Sequence, residues 1–208
     1  MGRLLLLRHG ESEWNAAGRW QGWADIALTP LGEAQASHAA TRLAGLPGAR
    51  FTAVVASDLR RAQRTAEILA YGLGIDIDSV ETEPELREFD VGDWSGLTKA
   101  EIEQRWPGQL TAWWNNELDR TPGGEPREQF VQRVVAATER LVDRPGQVLG
   151  VSHGGVVGAL QRTLGVDGDQ PRITNLAGRW FAREDGNLTP GDLVTLLDPD
   201  EMTVSPSR

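Results

Sequence analysis

The sequence predicts an α/β fold, a three-layer α/β/α sandwich around a mostly parallel mixed sheet that carries a helical cap insertion. Three observations predict it. Three apolar runs, at 3 to 7, 51 to 57 and 147 to 152, are each followed by a turn and then by helix-like spacing, the alternation expected of parallel strands with helices on both faces. The end, "GRWFAREDGNLTPGDLVTLLD", reads as two strands joined by a Gly/Pro turn, which makes the sheet mixed. Between the second and third runs lies a stretch of different texture, with Trp94, Trp106, Trp113 and Trp114 among short helical pieces. This stretch, at about 97 to 125, is the predicted cap.

The first run, "RLLLL", is too short for a bilayer span or a secretory signal, because Arg8 and His9 interrupt it. A helix follows at "LTPLGEAQ", with Thr29 as its cap and Pro30 at its first position. After "FTAVVAS", the stretch "DLRRAQRTAEILAYGL" places Ala62, Ala66, Leu69 and Leu73 on one stripe, and Gly72 and Gly74 stop it. Its first turn is expected near Ser57 or Asp58. "TPGGEP" reads as a hinge before a long helix near 126 to 143. The last residues, "PDEMTVSPSR", are expected to fray.

The chain of 208 residues suits a single domain, 1–208. It has no cysteine, which removes disulfides, thiolate metal sites and a cysteine nucleophile, and is compatible with a cytoplasmic location. The net charge of −9 opposes binding to nucleic acid or anionic membrane. Any anion must therefore be held by a local cluster of cations.

Two of the three histidines, His9 and His153, follow apolar strands directly. In an open α/β sheet, ligands bind in the crevice beyond the carboxyl ends of the strands, so both imidazoles point to one site. His38 falls on the polar face of its helix and is given no role. Arg60 and Arg61 enter the first turn of the second helix, where the macrodipole disfavours cations. Asp58 offsets part of this; an anion bound by Arg60 would offset more, whereas Arg61 and Arg64 read as solvated. The loop "PELREFDVGDWSG" offers Glu85, Glu88, Asp90 and Asp93 for proton transfer, and composition does not choose among them. Histidines, arginines and an acid together fit a nucleophilic phosphoryl transfer.

The ordered motifs "RHGESEWN", "GRWQGWADIALTPLGEAQA", "SDLRRAQRTA", "LREFDVGDWSGLT", "PGGEPREQFVQRV" and "VSHGG" span nearly the whole chain, and together they resemble the histidine phosphatase superfamily, the phosphoglycerate mutase-like proteins. The resemblance implies that His9 is the nucleophile, that Arg8, Arg60 and His153 hold the phosphoryl group, and that Asn15 and the Gly154 amide donate further hydrogen bonds. It implies Glu88 as proton donor and base, and Gln21 and Gly22 as substrate contacts. It implies no metal and no cofactor, and a small-molecule phosphomonoester as substrate; a homodimer is compatible with it.

Mutases of this type carry an arginine pair in a "WRRSYD"-like stretch, where this chain has "AWWNNELDRTPGGE". That departure favours a phosphatase over a 2,3-bisphosphoglycerate-dependent mutase, although Arg120 and Arg127 lie nearby. A non-catalytic phosphate sensor is a further alternative, which the filled catalytic positions disfavour. A serine hydrolase, suggested by the G-x-S-x-G at 150 to 154, fails because no histidine follows His153. A metal site from His9, His153, Glu11 and Glu88 lacks the usual ligand spacings. Trp20, Trp23, Trp113 and Trp114 are candidates for the pocket rim.

Overall fold

The computed structural model describes residues 2–166, 173–198 and 200–201. Six strands form one sheet: β1 (Arg3–Arg8), β2 (Phe51–Ala56), β3 (Glu81–Thr82), β4 (Gln147–Ser152), β5 (Ala177–Glu184) and β6 (Asn187–Thr195), in the spatial order β3-β2-β4-β1-β5-β6. β1, β2, β3 and β4 run parallel, whereas β5 is antiparallel to β1 and β6 to β5. The sheet is therefore mixed, as expected.

The run of four leucines has a simple cause. Leu4 and Leu6 pack into one apolar cluster and Leu5 and Leu7 into the other, so both faces of β1 are covered. A strand buried on both faces has no solvent side to mark with polar residues.

On one face lie α2 (Pro30–Ala44) and α3 (Arg60–Gly72), which contribute Ala39, Leu43, Ala66 and Leu69. On the other lie α6 (Arg127–Val142) and α7 (Gly154–Thr163), which contribute Phe130, Val134, Val156 and Leu160. These are the three predicted layers. Thr29 caps α2 through the Gly32 amide, with Pro30 at the first position. The stripe proposed for α3 is largely buried, but the helix begins at Arg60 with Leu59 as its cap, two or three residues later than expected.

A short helix, α1 (Glu13–Ala16), follows β1, and the predicted cap region contains α4 (Lys99–Arg105) and α5 (Gln109–Trp114). Trp94 is fully buried, with edge contacts to Trp20 at 5.3 Å and Trp113 at 6.3 Å. Trp94 thus closes a small core, with Trp20 and Trp113 packed partly buried against it.

Three local expectations are corrected. "TPGGEP" is stitched in place rather than hinged, because Asp93 N–H donates to Pro122 O and Asp90 N–H to the Glu125 carboxylate, each at 2.8 Å. The β5–β6 turn falls at Asp185 and Gly186, and Pro190 lies inside β6, where an edge strand tolerates a missing donor. The two-residue β3 was not foreseen, since a pair of exposed polar residues carries no apolar signal. The fraying expected at 199 and 202–208 lies outside the described residues. Within the same tail, Glu201 is docked on α2, its carbonyl accepting from Gln35 at 2.8 Å and its carboxylate pairing with the exposed His38.

Candidate active site

β1 and β4 are neighbours in register, Arg8 opposite Ser152, so the residues that follow them, His9 and His153, emerge side by side at one end of the sheet. Their ring centroids lie 5.2 Å apart, and both rings are buried. His9 Nδ1–H donates to the carbonyl of Gly10 at 2.6 Å. A carbonyl only accepts, so this bond places the proton on Nδ1 and leaves the lone pair on Nε2. Burial and the neighbouring guanidinium groups of Arg61 and Arg8 hold the His9 pKa well below 6.5, and the ring is neutral at neutral pH. The same causes, burial foremost, depress His153.

Nε2 of His9 accepts from Arg61 Nε–H at 3.2 Å. Arg61 is buried in the first turn of α3, with its two remaining nitrogens donating to Ala24 O at 2.7 Å and Gly22 O at 2.9 Å. Burial lowers its pKa to about 10, still leaving it charged. Gly22, with φ of +50°, allows this turn to close against Val91, since a Cβ there would lie 2.7 Å from Val91 Cγ2.

Arg61, not Arg60, is thus the arginine beside His9. Arg60 is exposed and lines a separate depression of about 400 Å³ together with Asp58, Gln63 and Arg64. The physical reason is helix phase: Arg61, Thr65 and Leu69 share the buried face, whereas Arg60 sits off it. The i, i+4, i+8 spacing of these three residues was the available signal, and the macrodipole argument overrode it. Arg64 is exposed and pairs with Glu33 and Glu67.

Arg8 donates to Ile173 O at 2.9 Å and lies along Gly154, at the start of α7. His153 caps that helix; its Nε2 is hydrogen-bonded with Ser57 Oγ at 2.9 Å, while its Nδ1 is buried with no partner among the described residues. Ser152 spends its hydroxyl on Leu86 O at 2.7 Å, a tie between β4 and the acid-bearing loop. Of the four acids left open, Glu88 is the one in the cavity. Its carboxylate accepts from Phe89 N at 2.9 Å and from Gly155 N at 3.0 Å.

Arg8, His9, Asn15, Gln21, Gly22, Glu88 and Gly154 share one cavity of about 620 Å³ with Arg61. Its lining includes Arg8, Arg19, Arg61, Lys99 and Arg162, with Glu88 as the single carboxylate among the described residues. Asn15 Oδ1 accepts from Ser12 N and Gln21 Oε1 from Ser12 Oγ, which fixes both amides at the entrance. Trp20, Trp113 and Trp114 line the cavity. Trp23 does not; its indole N–H holds the Glu88 carbonyl at 2.8 Å and its ring carries the Arg87 guanidinium. Glu11 accepts from Thr29 at 2.7 Å, and the set His9, His153, Glu11 and Glu88 does not converge as metal ligands.

A neutral imidazole among arginines, with one carboxylate in the same cavity, thus lies at the carboxyl end of the parallel strands. The sequence profile of the histidine phosphatase superfamily, branch 1, matches residues 4–182, and the chain belongs to that family. It is 38% identical to the probable phosphoglycerate mutase GpmB of Cronobacter sakazakii, over 90% of this chain and 86% of that one. It is also 38% identical to the glucosyl-3-phosphoglycerate phosphatase of Mycolicibacterium vanbaalenii, over 78% and 73% respectively. The structure of a mycobacterial glucosyl-3-phosphoglycerate phosphatase in complex with VO3 superposes with a TM-score of 0.78, at 31% identity and covering 93% of this chain and 97% of that one.

Proposed function

We propose that the protein is a phosphomonoester hydrolase acting through a phosphohistidine on His9. The observation that carries this reading is the concentration of cations around one neutral imidazole in a chain of net charge −9. In the first step the Nε2 lone pair attacks phosphorus, the P–O ester bond breaks, and the departing oxygen takes the proton of the Glu88 carboxylic acid. In the second, Glu88 as carboxylate removes a proton from water, whose oxygen attacks phosphorus and expels Nε2.

Arg8 and Arg61 face the phosphoryl oxygens, with the Gly154 amide and Asn15 as further donors. Arg61 keeps its Nη groups on the Gly22 and Ala24 carbonyls, and its Nε–H, which lies on His9 Nε2, passes to a phosphoryl oxygen without moving once Nε2 has bonded to phosphorus. When the Ser57 hydroxyl donates to His153 Nε2, the proton of His153 sits on the unpartnered Nδ1 and serves as another donor. Arginines supply the charge neutralisation in this scheme, with no metal and no cofactor, and Gln21 and Gly22 contact the alcohol.

The mutase reading is favoured by the mutase-named relative, but the cap does not present an arginine pair to this cavity. Arg120 is exposed and paired with Asp119, and Arg127 is held by the Leu118 and Trp113 carbonyls. The test is phosphate release from p-nitrophenyl phosphate in EDTA, with rapid-quench capture of acid-labile phosphoenzyme, for the wild type and His9→Ala. Release and capture that both vanish in His9→Ala are expected. Turnover that survives in His9→Ala refutes the nucleophile, and turnover only after priming with 2,3-bisphosphoglycerate establishes the mutase instead.

A further inference from the structure

The cavity is larger than a phosphoryl group needs, and one cation in its wall, Arg162, has no hydrogen-bond or ion-pair partner among the described residues. Arg162 lies near the end of α7, eight residues beyond Gly154, and lines the same cavity as His9 and Glu88. Its guanidinium makes no hydrogen bond or ion pair with any described residue. Most other arginines here are differently placed: Arg19, Arg42, Arg64, Arg87, Arg133 and Arg183 all have carboxylate partners.

The helix itself explains where the side chain goes. Long side chains on a helix lie back over the preceding turn, and Nη1 of Arg162 is what a Cβ added at Gly158 would meet, at 3.4 Å. Apart from its chain neighbours and the helix's own backbone, no other described atom lies within 4 Å of that Cβ position. A Cβ there would only touch the guanidinium, which lies back over Gly158 toward the start of α7. From Gly158 back to Gly155, whose amide holds Glu88, is about 4.5 Å along the axis. The two charged groups nearest in effect are the carboxylate of Glu88 and the like-charged guanidinium of Arg127, itself pinned against Trp113. Although the residue as a whole is exposed, burial is the largest influence on the guanidinium and draws its pKa down.

We propose that Arg162 is a specificity-determining residue, which binds a second anionic group, a carboxylate or a further phosphate, on the alcohol part of the substrate. This rests on the phosphatase reading, because it takes the ester oxygen to lie at Glu88. The helical distance then puts the second anion a few bonds from that oxygen. A guanidinium that lines the cavity and has no partner among the described residues offers its planar fork without first breaking a bond to them.

The experiment compares 3-phosphoglycerate with sn-glycerol 3-phosphate, which replaces the carboxylate by a neutral hydroxymethyl group. Equilibrium binding of both is measured by calorimetry in a His9→Ala background with and without Arg162→Gln, and turnover of both with p-nitrophenyl phosphate in otherwise wild-type protein. The expected result is tighter binding of the carboxylate ligand by roughly tenfold or more, a preference that Arg162→Gln removes. Arg162→Lys is expected to keep part of it. Equal affinity for the two ligands overturns the proposal, as does a preference that survives Arg162→Gln. A pH–rate profile displaced alike for every ester would instead make Arg162 an electrostatic partner of Glu88 and overturn it too. If no ester is turned over and no phosphoenzyme forms, the phosphatase reading fails, while the binding contrast still decides the role of Arg162.

Discussion

The placement of Glu88 rests on a glycine, and substituting that glycine separates the acid from the nucleophile. A Cβ at Gly155 would lie 2.1 Å from Glu88 Oε1, against an ordinary contact of 3.4 Å or more, so in Gly155→Ala the carboxylate retreats by about 1.3 Å. The displaced atoms are the end of a flexible side chain, so the helix stays intact, and alanine suits a helix better than glycine by about 0.5–1 kcal/mol. The retreat also strains the bond from Gly155 N to Glu88.

Misplacement of a reacting group by about 1 Å is worth on the order of 100-fold in rate. An alkyl phosphate, whose leaving oxygen needs the proton, should lose about that factor in kcat. p-Nitrophenyl phosphate, whose leaving group needs little protonation, should lose far less when phosphorylation is observed by rapid quench. Melting temperature should hold or rise. An equal loss on both esters, or no loss on either, would show that the Glu88 position does not govern leaving-group protonation.

Arg61→Ala should lower kcat/KM by about 100-fold or more, while Arg60→Ala stays within about twofold; the reverse order in steady-state kinetics would contradict the helix phase described above. Burial depresses His9 and His153, so the unfolded chain takes up protons near pH 6.5 that the folded one refuses. Their stabilising effect is complete above pH 6.5 and declines as pH falls, by up to about 1.4 kcal/mol per pH unit for each histidine. Urea melts between pH 7.5 and 5.5 measure this slope, which His153→Ala should reduce. Arg133 donates to the Glu85, Arg87 and Glu88 carbonyls and pairs with Glu125, with 16% and 11% of the two side chains exposed. Arg133→Met should therefore cost about 3 kcal/mol in urea melts and loosen the loop that carries Glu88.

Much of this was legible in sequence because it depends on local chemistry. A leucine run closed by Arg8 and His9, a Thr-Pro helix start and glycines after both strand histidines each have one economical reading. Where the reading failed, a longer-range fact decided. Arg60 and Arg61 differ by one residue and hence by 100° of helix phase, and only the packing of α3 on the sheet says which faces inward. Composition left Glu88 level with Glu85, Asp90 and Asp93, and only the family resemblance preferred it; the Gly155 amide that holds it in the cavity comes from a different part of the chain. Arg162 carried no signal at all, since an arginine near a helix end reads as solvated until the cavity wall behind it is known.

The register between β1 and β4 also governs when the site comes into being. Arg3 pairs with Gln147 across a loop of more than 140 residues, so the two histidines meet only after the longest-range parallel pairing in the sheet has closed. Loop closure of that span precedes any reward from the contacts it enables, which makes such pairing slow. Recovery of turnover after dilution from denaturant therefore reports formation of the central sheet, and in a chain arrested on the ribosome before β4 has emerged the leucine strand would lack both of its sheet neighbours and the proposed chemistry would be absent.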